Sequence, residues 1–177
     1  FDLRIYALVT CVDPLRILLY REGLVRLCTT PYKTPDVNNV GISYMHLTNY
    51  SVNKHNDAFV ENNLDEEGDA SKRSLSWLWQ WMSSQGHSEE RVAKVWRDIG
   101  DVVTKTLISI QSTLAVNYAS SKIGSANCTP FTCFEVLGFD ILLTESLAPV
   151  LIEVNHTPSF RTDSALDAQV KEGLISD

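Results

Sequence analysis

The stretch "CFEVLGFDILLTESLAPVLIEVNHTPSF", residues 133–160, decides the reading of this chain. It holds two apolar runs joined by the short polar turn "TESLAP", the pattern of two neighbouring antiparallel strands. Glu153 and Asn155 are two residues apart and therefore share one face of the second strand. On the first strand Asp140 shares its face with Val136 and Gly138, while Phe139 and Ile141 take the other. The turn then brings the Asp140 side chain close to those of Glu153 and Asn155. Two carboxylates facing each other in apolar surroundings repel and are poorly solvated, so a positive partner is expected between them. Hard oxygen donors, two of them charged, suit Mg²⁺, which keeps several waters and is shared with substrate phosphates. A solvated sheet edge or pairing with arginines is the alternative. Convergence of three oxygen-bearing side chains on adjacent strands favours the metal.

Working outward, the N-terminal third reads as β structure. "FDLRIYALVTC", "PLRILLY" and "GLVRLCTTPY", separated by Asp13-Pro14 and Glu22-Gly23, predict three consecutive strands of an antiparallel meander. Asp2 and Arg4 alternate onto one face, and Arg26 belongs to the third of these strands. Two arginines on a rigid sheet can hold phosphate oxygens and neutralise charge that develops during transfer. A surface ion pair of Asp2 with Arg4 is the plainer alternative, and it loses ground beside a magnesium-type triad.

From Pro35 to about Arg73 the composition turns polar and predicts a long loop with a mobile stretch at 57–73. Trp77, Leu78, Trp81 and Met82 recur at helical spacing. A longer helix follows, N-capped by Ser88, with Glu89 and Glu90 at its positive end and Val92, Val95, Ile99, Val102, Thr106 and Ile110 as its apolar stripe to about Tyr118. A polar loop at 119–130 and a closing helix at 163–175 complete the order. The tryptophans read as helix packing rather than a base-stacking platform, since no basic residues are interleaved with them. His46 reads as a support for the loop ahead of Thr48, His55 and His87 as exposed, and the acidic "DEEGD" run as a solvated loop.

The 177 residues suit one domain, or one domain plus part of another. With 44% hydrophobic and 21% charged residues the chain is globular, and no apolar run reaches the roughly 20 residues that span a bilayer. A net charge of -7 argues against a general nucleic-acid or membrane binder. Of the four cysteines, only Cys128 and Cys133 lie close together, a weak metal signal that favours reduced thiols of a cytosolic protein. The glycosylation-type triplets at Asn49, Asn127 and Asn155 are short enough to arise by chance.

"FDLRIY", "GLVRLC", "MHLTNYSVNKHN", "FEVLGFDILL" and "LIEVNHTPSF", in this order, resemble the tubulin tyrosine ligase-like family, most closely its polyglutamylating branch. The resemblance covers nearly the whole chain. It implies an α+β, ATP-grasp-like fold with an antiparallel central sheet and packed helices. Residues 1–177 would form the central and C-terminal part of that catalytic domain, without the upstream adenine pocket, phosphate-binding lysines and lid. It also implies ATP and Mg²⁺ as cofactors, free L-glutamate and tubulin or microtubules as partners, and an acyl-phosphate intermediate. A monomer of the cytoplasm and cytoskeleton is expected, with the cilium and basal body as further sites.

Residue by residue, the resemblance makes Asp140, Glu153 and Asn155 magnesium ligands, with Asn155 also close to the nucleotide phosphates. It assigns Arg4 and Arg26 to the phosphates and acyl-phosphate, Asp2 to the nucleoside, and Thr48 and Asn49 to the loop bordering nucleotide and acceptor. Lys54 is implied as a substrate-carboxylate contact. His156 resembles the histidine of members that lengthen existing glutamate chains. Its imidazole could pair with a carboxylate of the growing chain, or it could simply pack at a turn. A non-catalytic nucleotide- or tubulin-binding module, or a ligase adding glycine or tyrosine, is the alternative function.

Overall fold

The computed structural model describes residues 1–61, 69–121 and 133–177. The elements in chain order are β1 (Asp2–Val12), β2 (Leu15–Arg26), α1 (Ser43–His46), α2 (Tyr50–Asn53), β3 (Lys72–Ser74), α3 (Leu75–Ser84), α4 (Glu89–Ser121), β4 (Glu135–Leu143), β5 (Pro149–Asn155) and α5 (Ala165–Ser176). The strands form one five-stranded sheet in the order β3-β2-β1-β4-β5, so the protein is α+β as expected. The β2–β3 and β4–β5 pairs are antiparallel. Two compact units divide the chain: Phe1–Arg4, Glu22–His87 and Phe160–Asp177 make one, Ile5–Arg21 and Ser88–Ser159 the other.

The predicted three-strand meander is corrected to two strands, because Glu22-Gly23 does not turn the chain. Leu15 to Arg26 is one continuous strand, and Arg26 lies at its end rather than in a third strand. Gly23 is needed for close approach: a Cβ there would lie 2.4 Å from the Arg4 carbonyl oxygen and 3.1 Å from Leu75 Cδ1. Glu22 is occupied with α3, whose first backbone amides, Leu75 and Ser76, donate to its Oε1 at 2.8 and 3.3 Å. The third strand is instead β3, with Leu24, Val25 and Arg26 opposite Ser74, Arg73 and Lys72. It ends the segment read as a long loop, which also contains the single-turn helices α1 and α2. Three residues reading Lys-Arg-Ser carry no apolar alternation, so only pairing with β2 makes them a strand.

In the first unit Leu3, Leu24, Val25, Met45, Leu75, Leu78, Met82, Leu166 and Val170 are buried. Burial of each such side chain contributes about 1.5–3 kcal/mol. The Ser74 hydroxyl caps α3 by accepting from the Trp77 amide at 2.9 Å. Leu78 and Met82 bury its inner face, while Trp77 and Trp81 stack on each other outside it at 6.1 Å between centroids, with Arg73 over Trp77. Ser164 caps α5 in the same manner by accepting from the Asp167 amide at 3.2 Å.

In the second unit α4 begins as expected. Ser88 Oγ accepts from the Arg91 amide at 3.2 Å, and Glu89 and Glu90 occupy the first turn. Its buried stripe is Val95, Ile99, Val103 and Leu107; Thr106 lies at the margin and Ile110 is 44% exposed, which corrects the predicted stripe in its second half. Ile5, Ala7, Val9 and Cys11 of β1 and Leu137, Phe139, Ile141 and Leu143 of β4 place one buried face at every second residue, and Tyr6, Gly138 and Asp140 are buried on the other face as well.

Residues 62–68 of the predicted mobile stretch, all of the acidic run but Asp69, Asn127, Cys128 and residues 122–130 of the 119–130 loop lie outside the described residues. Among the described residues Cys11, Cys28 and Cys133 are free thiols, and no helix is long and apolar enough to cross a membrane.

Candidate active site

The β4–β5 hairpin sets the first group of residues. Thr144 closes its turn by donating its amide to the Ala148 carbonyl at 3.0 Å. The register pairs Asp140 with Glu153 and Gly138 with Asn155. Directly opposed residues of an antiparallel pair point to one face, about 5 Å apart at Cβ. The expected juxtaposition of the three side chains is therefore present, and Asn155 Nδ2 donates to Glu153 Oε1 at 3.3 Å. A bulge follows at once, since Ile141 pairs with Leu151 and leaves Ile152 as the extra residue beside Glu153. Asp140 is 2% exposed, whereas Glu153 is exposed.

Among the described residues no three or more His, Cys, Asp or Glu side chains form a metal-holding group. The hairpin offers two carboxylates and one amide, too few for an all-protein cage. This donor set fits an oxygen-preferring divalent cation that keeps waters and shares a ligand's phosphates.

The second group lies in the first unit. Asp2 is 1% exposed, and Arg26 grips it through Nε to Oδ1 at 3.0 Å and Nη2 to Oδ2. This fork is the strong, oriented form of the ion pair. The partner of Asp2 is thus Arg26 rather than Arg4, which is half-buried on the same strand.

The "HLTNYS" segment completes the first unit's contribution. His46 does support it: Nε2 lies 3.1 Å from the Asn39 carbonyl oxygen and its ring meets Tyr32 edge-on at 6.0 Å. Thr48 is half-buried, Asn49 is exposed and opens α2, and Lys54 is exposed with its ammonium 5.6 Å from the Tyr50 ring centroid. Sequence reasoning missed Asn53, which is 1% exposed and pins this segment. Its Oδ1 accepts from the Thr29 amide and hydroxyl at 3.0 and 2.9 Å, and its Nδ2 donates to the Leu47 and Asn49 carbonyls at 2.7 and 3.2 Å. It missed Lys72 as well, a buried lysine paired with Asp167 of α5. Burial pushes the Asp167 carboxyl up, but hydrogen bonds from Lys171 and Lys72 outweigh it and hold the carboxyl below its ordinary range. Burial, with the charges of Asp163, Glu61 and Asp167, pushes the Tyr50 phenol up.

His156 is exposed just beyond β5. With Val154 it lines a cavity of about 390 Å³ bordered by Leu107, Leu114, Tyr118 and Phe134. Among the described residues it joins Asp140 and Glu153 in no metal-holding group.

Three relatives are similar in sequence along essentially the whole chain. Tubulin polyglutamylase TTLL13 of Homo sapiens is 48% identical over 177 residues, covering 100% of this chain and 21% of its own length. Tubulin polyglutamylase TTLL7 of Mus musculus is 47% identical over 175 residues, covering 99% and 19%. Tubulin polyglutamylase ttll6 of Danio rerio is 49% identical over 177 residues, covering 100% and 22%. The chain thus spans about a fifth of the length of these relatives. Residues 1–177 match the tubulin-tyrosine ligase family from end to end, and the chain belongs to that family.

Proposed function

We propose that this chain is part of an ATP-dependent ligase that adds glutamate to glutamate side chains, or to existing glutamate chains, on tubulin C-terminal tails. The observation that carries the reading is the in-register opposition of Asp140 and Glu153 with Asn155 beside them, in a chain 48% identical to a tubulin polyglutamylase.

Asp140, Glu153 and Asn155 would hold Mg²⁺, which when bound neutralises charge on phosphate oxygens. A tail carboxylate attacks the γ-phosphoryl group of ATP, forming an acyl-phosphate and releasing ADP. The amine of free L-glutamate then attacks the acyl carbon, forming an amide bond, which is an isopeptide bond where the acceptor is a side chain, and expelling phosphate. Arg4 and Arg26 spread the charge of the transferring group, and the buried Asp2 fixes the Arg26 guanidinium for that task while bordering the nucleoside. Thr48 and Asn49 border nucleotide and acceptor, and exposed Lys54 meets a substrate carboxylate. This division of labour rests on positioning and electrostatics and needs no nucleophilic serine or cysteine. His156 selects tails that already carry glutamate by presenting its imidazole to a chain carboxylate. The enzyme acts as a monomer in the cytoplasm on the cytoskeleton, with cilia and basal bodies among its microtubule arrays.

The test uses the full-length parent enzyme on purified microtubules with ATP, Mg²⁺ and labelled glutamate, glycine or tyrosine, beside Glu153→Gln. Incorporation of glutamate alone is expected, with the variant reduced about a hundredfold or more. Incorporation of glycine or tyrosine overturns the choice of amino acid. Tubulin binding without incorporation of any of the three overturns the ligase reading in favour of a non-catalytic binding module.

A further inference from the structure

Lys72 is a buried cation that the ligase reading leaves without a task. It lies on β3 directly opposite Arg26 on β2, so two positive side chains share one face of the sheet. Like charges placed in this way repel, and each is answered by its own carboxylate, Arg26 by Asp2 and Lys72 by Asp167. Asp167 also pairs with Lys171 at 2.8 Å, and Lys171 donates to the Arg161 carbonyl.

Two ammonium groups, at residues 8% and 7% exposed, therefore share one carboxylate at a residue 2% exposed. Well-packed apolar side chains would serve stability alone at lower desolvation cost. Lys72 also faces an aromatic ring: its Nζ stands 4.4 Å from the Tyr50 ring centroid. Tyr50 follows Asn49 directly and is the first residue of α2. Its ring also meets Phe59 edge-on at 5.8 Å, and Asn53 pins the far end of the same turn.

We propose that Lys72 is a positioning residue for the Thr48–Asn49 loop, holding it through the Tyr50 ring while Asp167 ties Lys72 to α5. A desolvated ammonium on an aromatic face is a strong and directional contact, and fixing the ring fixes the backbone of the residue before it. The inference rests on the ligase reading only for the claim that this loop borders the reactants.

In the full-length parent enzyme, Lys72→Met, Lys72→Arg and Tyr50→Leu are compared with wild type by steady-state glutamate incorporation and by amide hydrogen exchange over residues 47–54. Lys72→Met and Tyr50→Leu are expected to lower kcat about tenfold while KM for ATP stays within about twofold. Both raise exchange at the Val52, Asn53 and Lys54 amides, which bond back to Asn49 and Tyr50. Lys72→Arg, which keeps a cation over the ring, returns kcat to within about threefold of wild type. Wild-type kcat and exchange in Lys72→Met overturn the proposal, as does a loss that Lys72→Arg leaves unrepaired. Where Lys72→Met does not fold, Tyr50→Leu decides, because it leaves the Lys72–Asp167 pair in place. A wild-type enzyme that incorporates no glutamate sinks the ligase reading instead, and the exchange data then decide the positioning role by themselves.

Discussion

Asp2 and Arg26, 24 residues apart in sequence, form a two-pronged ion pair at the ends of neighbouring strands, with the carboxylate out of solvent. Such a pair is worth little as a source of stability and a great deal as a constraint, because removing one member strands the other. Replacing Asp2→Ala is expected to cost about 3 kcal/mol in chemical unfolding. Arg26→Lys, which keeps the charge and loses the fork, is expected to weaken activity far more than stability. Equal losses in the two measurements would contradict an orienting role for Asp2.

Gly23 is predicted to be irreplaceable at small cost. Gly23→Ala drives a methyl group against the Arg4 carbonyl oxygen, a backbone atom that cannot swing aside, and the expected destabilisation is about 2–3 kcal/mol. A denaturant midpoint equal to wild type would show that β1 and β2 are farther apart there than the structure has them.

Asp167 makes the first unit sensitive to acid. Its folded carboxyl binds a proton less readily than the unfolded one, whose ordinary value is 3.8. The ion pairs therefore stabilise fully at pH above that value and lose their contribution as pH falls below it through the lower folded one. Unfolding free energies measured from pH 6 to pH 2 should fall less steeply in Asp167→Asn than in wild type, on a curve that starts lower at pH 6. Parallel curves would remove Asp167 from the acid response.

Asn53→Ala leaves the Thr29 amide and hydroxyl and the Leu47 carbonyl without their buried partner, and about 2–3 kcal/mol should be lost. Asn53→Asp is the sharper comparison. A carboxylate can still accept from Thr29 but cannot donate to Leu47, so this near-isosteric change should be at least as damaging as alanine. A benign Asn53→Asp would mean that donation to Leu47 and Asn49 contributes nothing.

His156→Ile removes the imidazole without adding bulk to the strand end. In the parent enzyme the ratio of incorporation on preglutamylated over bare tails should fall about tenfold, with total activity retained on bare tails. An unchanged ratio sinks the acceptor-selecting role of His156.

Much of the candidate site was legible beforehand because its chemistry is local. The two-residue period places Glu153 and Asn155 on one face, and the short "TESLAP" turn leaves β4 and β5 little choice but to pair, so Asp140 meets Glu153. The capping Ser88 marked the start of α4, since a hydroxyl accepting from a first-turn amide is a short-range device, whereas the Ser164 cap of α5 was found only in the structure. The reading of Glu22-Gly23 failed for the opposite reason. A glycine needed for a turn and one needed for close approach look alike until the neighbouring backbone is in place, and at Gly23 that neighbour is Arg4.

By itself, then, the amino-acid order determined the longer helices α3, α4 and α5, the β4–β5 hairpin that sets Asp140 opposite Glu153, and the family resemblance, all of which rest on periodicity, short turns and contiguous motifs. Tertiary structure alone decided that β2 runs unbroken to Arg26, that Lys-Arg-Ser becomes β3, and which charges pair. Lys72 finds Asp167 across 95 residues, and Arg26 finds Asp2 rather than leaving it to Arg4. A buried charge takes whichever opposite charge the closed chain brings within reach, and sequence spacing carries no record of that distance.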